Sequence, residues 1–188
     1  MEFIERAQRA KLPVLAGATV AGFVAQRVTQ TVLDGFYARS GYPVPYYVGQ
    51  LSFSAGKLSG WYTAMRDAGT LGVYWQTQFM DFAFVAATAL FFTAALALVA
   101  RAFPAGSRGR RVATAAVALG LFAPLCDAVE NLLSFVMLPD PATVNPVVAV
   151  LYSTAAALKF AGFFAVYLWI PAALVAALIS RRRSVVDA

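Results

Sequence analysis

Histidine is absent from the 188 residues and cysteine occurs once, at Cys126. The first absence removes histidine-ligated haem, zinc–histidine centres and imidazole acid/base chemistry together, and the second excludes any intrachain disulfide. No metal site and no cofactor is therefore expected, and Cys126, with no histidine to activate it, suits core packing better than nucleophilic attack. Charge is also scarce, at 13% of residues against 61% hydrophobic, which is too apolar for an ordinary soluble domain of this length. Gly56, Gly60 and Gly69 lack the strand, helix and lysine order of a phosphate loop. There is no internal repeat and no long polar linker, so residues 1–188 are expected to form a single transmembrane domain.

Four long apolar runs fill most of the chain, and they predict an all-α, four-helix antiparallel bundle crossing a membrane. The expected spans are roughly 12–33, 75–100, 112–138 and 147–179. Pro13 fits the first turn of the first span, where its missing donor is not needed. Lacking a small-residue cleavage pattern after it, that run is expected to stay as a helix rather than leave as a signal peptide. Met1 to Ala10 is amphipathic and suits a short helix on the membrane surface. Pro124 inside the third run releases the carbonyl of Gly120 and is expected to kink the helix just before Asp127; Pro171 can do the same in the fourth.

The net charge of +6 suggests nucleic acid until its placement is considered. Arg6, Arg9 and Lys11 precede the first run, Arg101, Arg108, Arg110 and Arg111 join the second to the third, and Arg181, Arg182 and Arg183 follow the fourth. These are alternate connections, so the positive-inside rule puts both termini in the cytoplasm, and no nucleic-acid partner is expected.

The long outer connection, 35–74, is rich in Gly, Pro, Ser, Tyr and Trp. Within it Tyr42-Pro43-Val44-Pro45-Tyr46-Tyr47 reads as extended, because each proline pushes its predecessor away from helix. Ser54 to Ala68 reads as one short amphipathic helix, capped by Ser54, with Leu58, Trp61, Tyr62 and Met65 on its apolar side and Gly69 at its end. It belongs on the outer membrane face or over the bundle mouth, as an interfacial aromatic belt or as a lid.

The chemistry-bearing residues sit inside the runs. Asp127, Glu130, Asn131 and Ser134 stand at i, i+3, i+4 and i+7, so a helix stacks them on one face. Arg27, Gln30, Thr31 and Asp34 repeat that spacing in the first span. Counted inward at about 1.5 Å per residue, Arg27 and Asp81 lie roughly 9 Å deep, Glu130 about 12 Å, Asp127 about 16 Å and Lys159 about 18 Å. In a core about 30 Å thick, all five thus occupy one slab, in the outer half or at the midplane. Lys159 is expected to pair with Asp127 or Glu130, since a short turn makes spans three and four antiparallel neighbours, and Arg27 to face Asp81 or the remaining acid.

Buried ionisable residues in a membrane point to a site by default, although paired ones can also be structural. The functional expectation is an outward-facing polar cavity in which Asp81, Asp127, Glu130, Asn131, Lys159 and Arg27 bind or carry a small amphipathic or lipid-like ligand. A membrane enzyme acting on a lipid-like substrate and an accessory subunit whose charges only specify packing are the alternatives. Membrane lipids are the expected partners, and small residues such as Ala86-Ala87 and Ala155-Ala156-Ala157 permit close packing into a homo-oligomer or hetero-complex.

The succession Gly69…Tyr74…Asp81-Phe82, Asp127-Ala128-Val129-Glu130-Asn131 and then Lys159 resembles an uncharacterised family of four-span bacterial membrane proteins with a D…DxxEN…K pattern. The resemblance covers most of Tyr62 to Leu168; it implies the four-span topology, a bacterial inner membrane, and the grouping of Asp81, Asp127, Glu130, Asn131 and Lys159. Architecture and buried acids alone are similar to the emopamil-binding and sigma-2 receptor group, whose compact bundles bind sterols and cationic amphiphiles. The absence of histidine departs from what a sterol-isomerase-like activity would imply.

Overall fold

The structure, a computed structural model, describes residues 10–186, with side chains through Arg181. The surface helix expected over Met1 to Ala10 lies, apart from Ala10, outside these. Among the described residues seven helices follow one another: α1 (Leu12–Ser40), α2 (Tyr46–Gln50), α3 (Ala55–Asp67), α4 (Leu71–Ala102), α5 (Arg108–Ala116), α6 (Leu119–Met137) and α7 (Pro146–Val186). No strand occurs among the described residues. Four segments of the described residues are long and apolar enough to cross a membrane: α1, α4, α5 with α6, and α7. The protein is an all-α, four-helix, multi-pass membrane bundle.

Within the bundle α4 is the central element. The most apolar window of α4 is 56% buried against 17% for α1, so α4 forms the core and α1 is peripheral. Along one side α4 carries α1; on the other it carries α6, and α7 packs on α6 while reaching back to α4. Two glycines set how close these helices come. A Cβ on Gly22 of α1 would stand 2.7 Å from the Phe91 backbone of α4, and one on Gly162 of α7 would stand 2.8 Å from Ala123 of α6. Backbone approach of this kind replaces, inside a bilayer, the hydrophobic drive that packs helices in water. On the far side of α6, Leu125, Val129, Leu132 and Val136 are between 49% and 64% exposed. An apolar face of that length is at home in lipid and not in water.

The helices run beyond most of the predicted limits, and at α1 this shortens the connection that follows. This helix continues past Leu33 to Ser40 and stops only where Gly41 turns left-handed at φ 63°. Its extra turns are held because Tyr37 packs against Tyr46 and Tyr74. The connection is thus shorter than 35–74, and it carries two helices. Tyr46 and Tyr47, expected to be extended, begin α2, because Pro45 is extended and serves as the residue before the first turn. In the third span the helix is interrupted at 117–118 rather than at Pro124, with tight i→i+3 bonds from Val117 to Thr114 and from Gly120 to Val117. Pro124 sits within α6, where it is buried among neighbouring helices.

α3 forms as its sequence predicts. The Ser54 hydroxyl accepts from the Lys57 N–H at 3.4 Å, Leu58, Tyr62 and Met65 are buried, and Gly69 follows its end at φ 73°. Its apolar side packs over the end of the bundle, on Tyr74 of α4, Met137 of α6 and Ala149 and Tyr152 of α7. The Ser59 hydroxyl donates to the Pro141 carbonyl at 2.8 Å and so ties α3 to the α6–α7 turn.

Candidate functional site

The α6 stripe faces inward along its whole length: Asp127 is 2% exposed, and Glu130, Asn131 and Ser134 are fully buried. From α7 the ammonium of Lys159 donates to Asp127 Oδ1 at 3.0 Å and to Glu130 Oε2. From α6 the Asn131 amide donates to Asp81 Oδ2 of α4 at 2.8 Å. Three spans are therefore linked through one cluster of charges. Lys159 pairs with both of the acids it was expected to choose between.

Arg27 does not join the cluster. It is exposed, and among the described residues it makes no ion pair with Asp81 or any other acid. The buried positions of α1 explain why: Leu15, Gly22, Gln26, Leu33 and Ser40 form the inward seam at spacings of seven and four. Arg27 follows Gln26 and is turned about 100° away from that seam. Gln26 takes the inward place, donating to the Thr88 hydroxyl of α4 at 3.1 Å and accepting from the Tyr167 hydroxyl of α7 at 3.4 Å. The rest of the α1 stripe closes on its own helix, the Gln30 amide donating to Asp34 at 2.8 Å and the Thr31 hydroxyl to the Arg27 carbonyl at 3.0 Å.

Between α1 and α7, beside this cluster, lies a cavity of about 210 Å³. Asp81, Asp127 and Lys159 form its floor, Arg27 and Gln30 stand at its mouth, and Phe84 and Phe163 form its apolar wall. Glu130 and Asn131 are not on its surface; they lie behind it, holding Lys159 and Asp81. The roof is α2 with the end of α1, contributing Tyr46, Gln50 and Tyr37. α2 is docked by contact rather than by charge: a Cβ on Gly49 would fall 2.2 Å from the Tyr42 hydroxyl, and Tyr42 in turn stacks on Tyr74 with ring centroids 5.2 Å apart. Past α2, Phe53 is held at a left-handed φ of 50°, its N–H donating to the Ser153 hydroxyl of α7 at 3.0 Å.

Gln50 is a residue that sequence reasoning passed over. It is 4% exposed and lines the cavity, yet its amide oxygen has no partner among the described residues. A buried polar atom left in this way costs about 1–3 kcal/mol unless something meets it. Nothing in the loop sequence distinguishes Gln50. Gln26 did leave a signal, an amide directly after the apolar run Ala21-Gly22-Phe23-Val24-Ala25. In the connection, burial pushes the hydroxyls of Tyr42 and Tyr62 up from the ordinary value of 10, and burial followed by the nearby Asp34 does the same to Tyr46. All three remain neutral donors at physiological pH.

Cys126 is half-buried on a shallow apolar groove between α6 and α7, among Phe122, Leu125 and Leu158. Among the described residues no cluster of acids and cysteine has the arrangement of a metal site.

No family model, curated protein or solved structure matches this chain. Fold and site together define a four-span integral membrane protein with charges buried between its helices.

Proposed function

We propose that the protein binds or carries a small amphipathic, lipid-like molecule, with the polar end held against Asp81, Asp127 and Lys159. The observation that carries this reading is the cavity itself: it is polar, it lies within the spans, and Gln50, whose buried amide oxygen has no partner among the described residues, is one of its lining residues. A bundle that used its charges for packing alone would have no reason to leave room beside them. In this reading Glu130 and Asn131 position the floor, Arg27 guards the mouth, and the membrane is a bacterial inner membrane with both termini in the cytoplasm. The aromatic connection would then roof the cavity on the outer side.

Native mass spectrometry of protein released from gently extracted membranes tests the reading. The wild type should carry a defined extra mass, and Asp81→Asn and Gln50→Leu should lose it while still melting cooperatively. Bare wild-type protein, or an extra mass unaffected by both changes, would overturn it.

A further inference from the structure

The cavity has a neighbour along the same gap between helices. α1 packs along α4 but barely approaches α7, and the hydrogen bond from Tyr167 to Gln26 crosses the gap between them. On the near side of that bond lies the polar cavity. On the far side, toward the arginine-bearing ends of α4 and α7, the gap widens again into a groove of about 410 Å³. Thr19 of α1, Phe91 and Ala95 of α4, and Leu174 of α7 line it, with Arg101 and Arg181 at its arginine-bearing end and apolar walls between. Polar cavity and apolar groove thus share the same two walls and the same α4 floor. Between them stand rings, Phe92 packed edge-on to Tyr167 at 5.3 Å and Phe91 packed against Phe23 at 5.3 Å.

The head end also has a charge pattern. Of the charged groups that line the cavity, Lys159 is shared between Asp127 and the Glu130 behind it, whereas among the described residues Asp81 and Arg27 have no ionic partner. Asp81 keeps one carboxylate oxygen beyond the bond from Asn131, and Arg27 stands at the mouth with opposite sign. A head group carrying both a donor, such as an ammonium, and an anion, such as a phosphate, satisfies the two at once. Because the gap opens between spans, such a molecule can enter sideways from the bilayer with its chain still in apolar surroundings.

We propose that the cleft between the first and fourth spans is a binding site for a phospholipid-like molecule. Its zwitterionic head lies in the polar cavity between Asp81 and Arg27, and one hydrocarbon chain runs past Tyr167 into the groove between Thr19 and Leu174. This rests on the cavity being a ligand site, and it adds the route of entry, the head chemistry and the place of the chain.

A lysophosphatidylethanolamine bearing a diazirine at the end of its acyl chain is the probe. After irradiation of the full-length protein in nanodiscs, labelled peptides are mapped in the wild type, Arg27→Met, Thr19→Phe and Ala95→Phe. Label should concentrate on residues 91–102 and 170–174 and be competed by unlabelled lipid. It should fall about tenfold in either groove-filling variant, and Arg27→Met should weaken binding about tenfold, the size of one charge-assisted hydrogen bond. Thr19 bonds only its own helix, so its replacement keeps the test open if Ala95→Phe does not fold. Label spread evenly over the outward face around Leu132, unchanged by filling the groove, would overturn the chain assignment. Equal binding by Arg27→Met would overturn the head assignment. Either result leaves the cavity reading standing if Asp81→Asn still removes the bound mass. A dimer mass without lipid would mean that a second copy of the chain covers the groove, and would also overturn the proposal.

Discussion

Two polar stripes of identical spacing, one on α6 and one on α1, meet opposite fates. Asp127, Glu130, Asn131 and Ser134 are buried, and three of them bond to other helices; Arg27, Gln30, Thr31 and Asp34 are mostly exposed and bond within α1. The difference follows from where each stripe lies relative to the seam of its helix. On α6 the polar stripe is the seam, with Gly120 and Ala123 continuing it, whereas on α1 the seam passes through Gln26 and the stripe is rotated off it. Spacing therefore says that polar residues share a face, and only the small or buried neighbours say which way the face looks.

The sharpest way to break the comparison is to remove the cation at the centre of the inward stripe. Lys159→Met leaves Asp127 and Glu130 unpaired in a water-excluding site, and a loss of about 3–5 kcal/mol is expected in denaturant unfolding in detergent. Next, Gly162→Val drives side-chain volume into Ala123 and Phe122 and should cost about 1–3 kcal/mol in the same assay. Asn131→Ala, which removes the single bond to Asp81, should cost about 1 kcal/mol, in line with hydrogen bonds measured between membrane helices. At the bottom of the series Arg27→Met should change stability by less than about 0.5 kcal/mol, because its side chain is exposed and unpaired. A large loss in Arg27→Met would erase the contrast between the stripes.

The connection offers a pH test with a definite sign. Tyr42 and Tyr62 are kept protonated by burial, whereas in the unfolded chain they ionise near the ordinary value of 10. Stability from their packing is complete below that value and is lost as pH rises above it, since the unfolded state then binds fewer protons than the folded one. Thermal unfolding followed from pH 8 to 11 should show a decline that flattens in Tyr62→Phe.

Much of the fold was legible because membrane helices announce themselves by long apolar runs, and α3 by its cap, its four-residue apolar rhythm and its terminal glycine. The pairing of spans three and four through Lys159 followed from a short turn. Arg27 misled because its spacing copied that of α6, while the inward residue, Gln26, differed from it by a single position. The end of α1 was hidden because Gly35, Phe36 and Tyr37 have loop-like composition and are held helical by ring contacts from distant segments. Gln50 could not have been found, for its burial depends on α2 docking through Gly49 on Tyr42, which stacks on Tyr74 of α4. Tertiary contacts decided each of these, and no local pattern encodes them.

The most direct measurement is a double-mutant cycle on Lys159→Met and Glu130→Gln, by unfolding in detergent. If the cluster is one coupled charge network, removing Glu130 as well should restore part of the stability lost in Lys159→Met, so the double variant is more stable than the sum of the single losses. Strictly additive losses would mean that Lys159 and Glu130 do not depend on each other, and would contradict the buried cluster as the organising feature of the bundle.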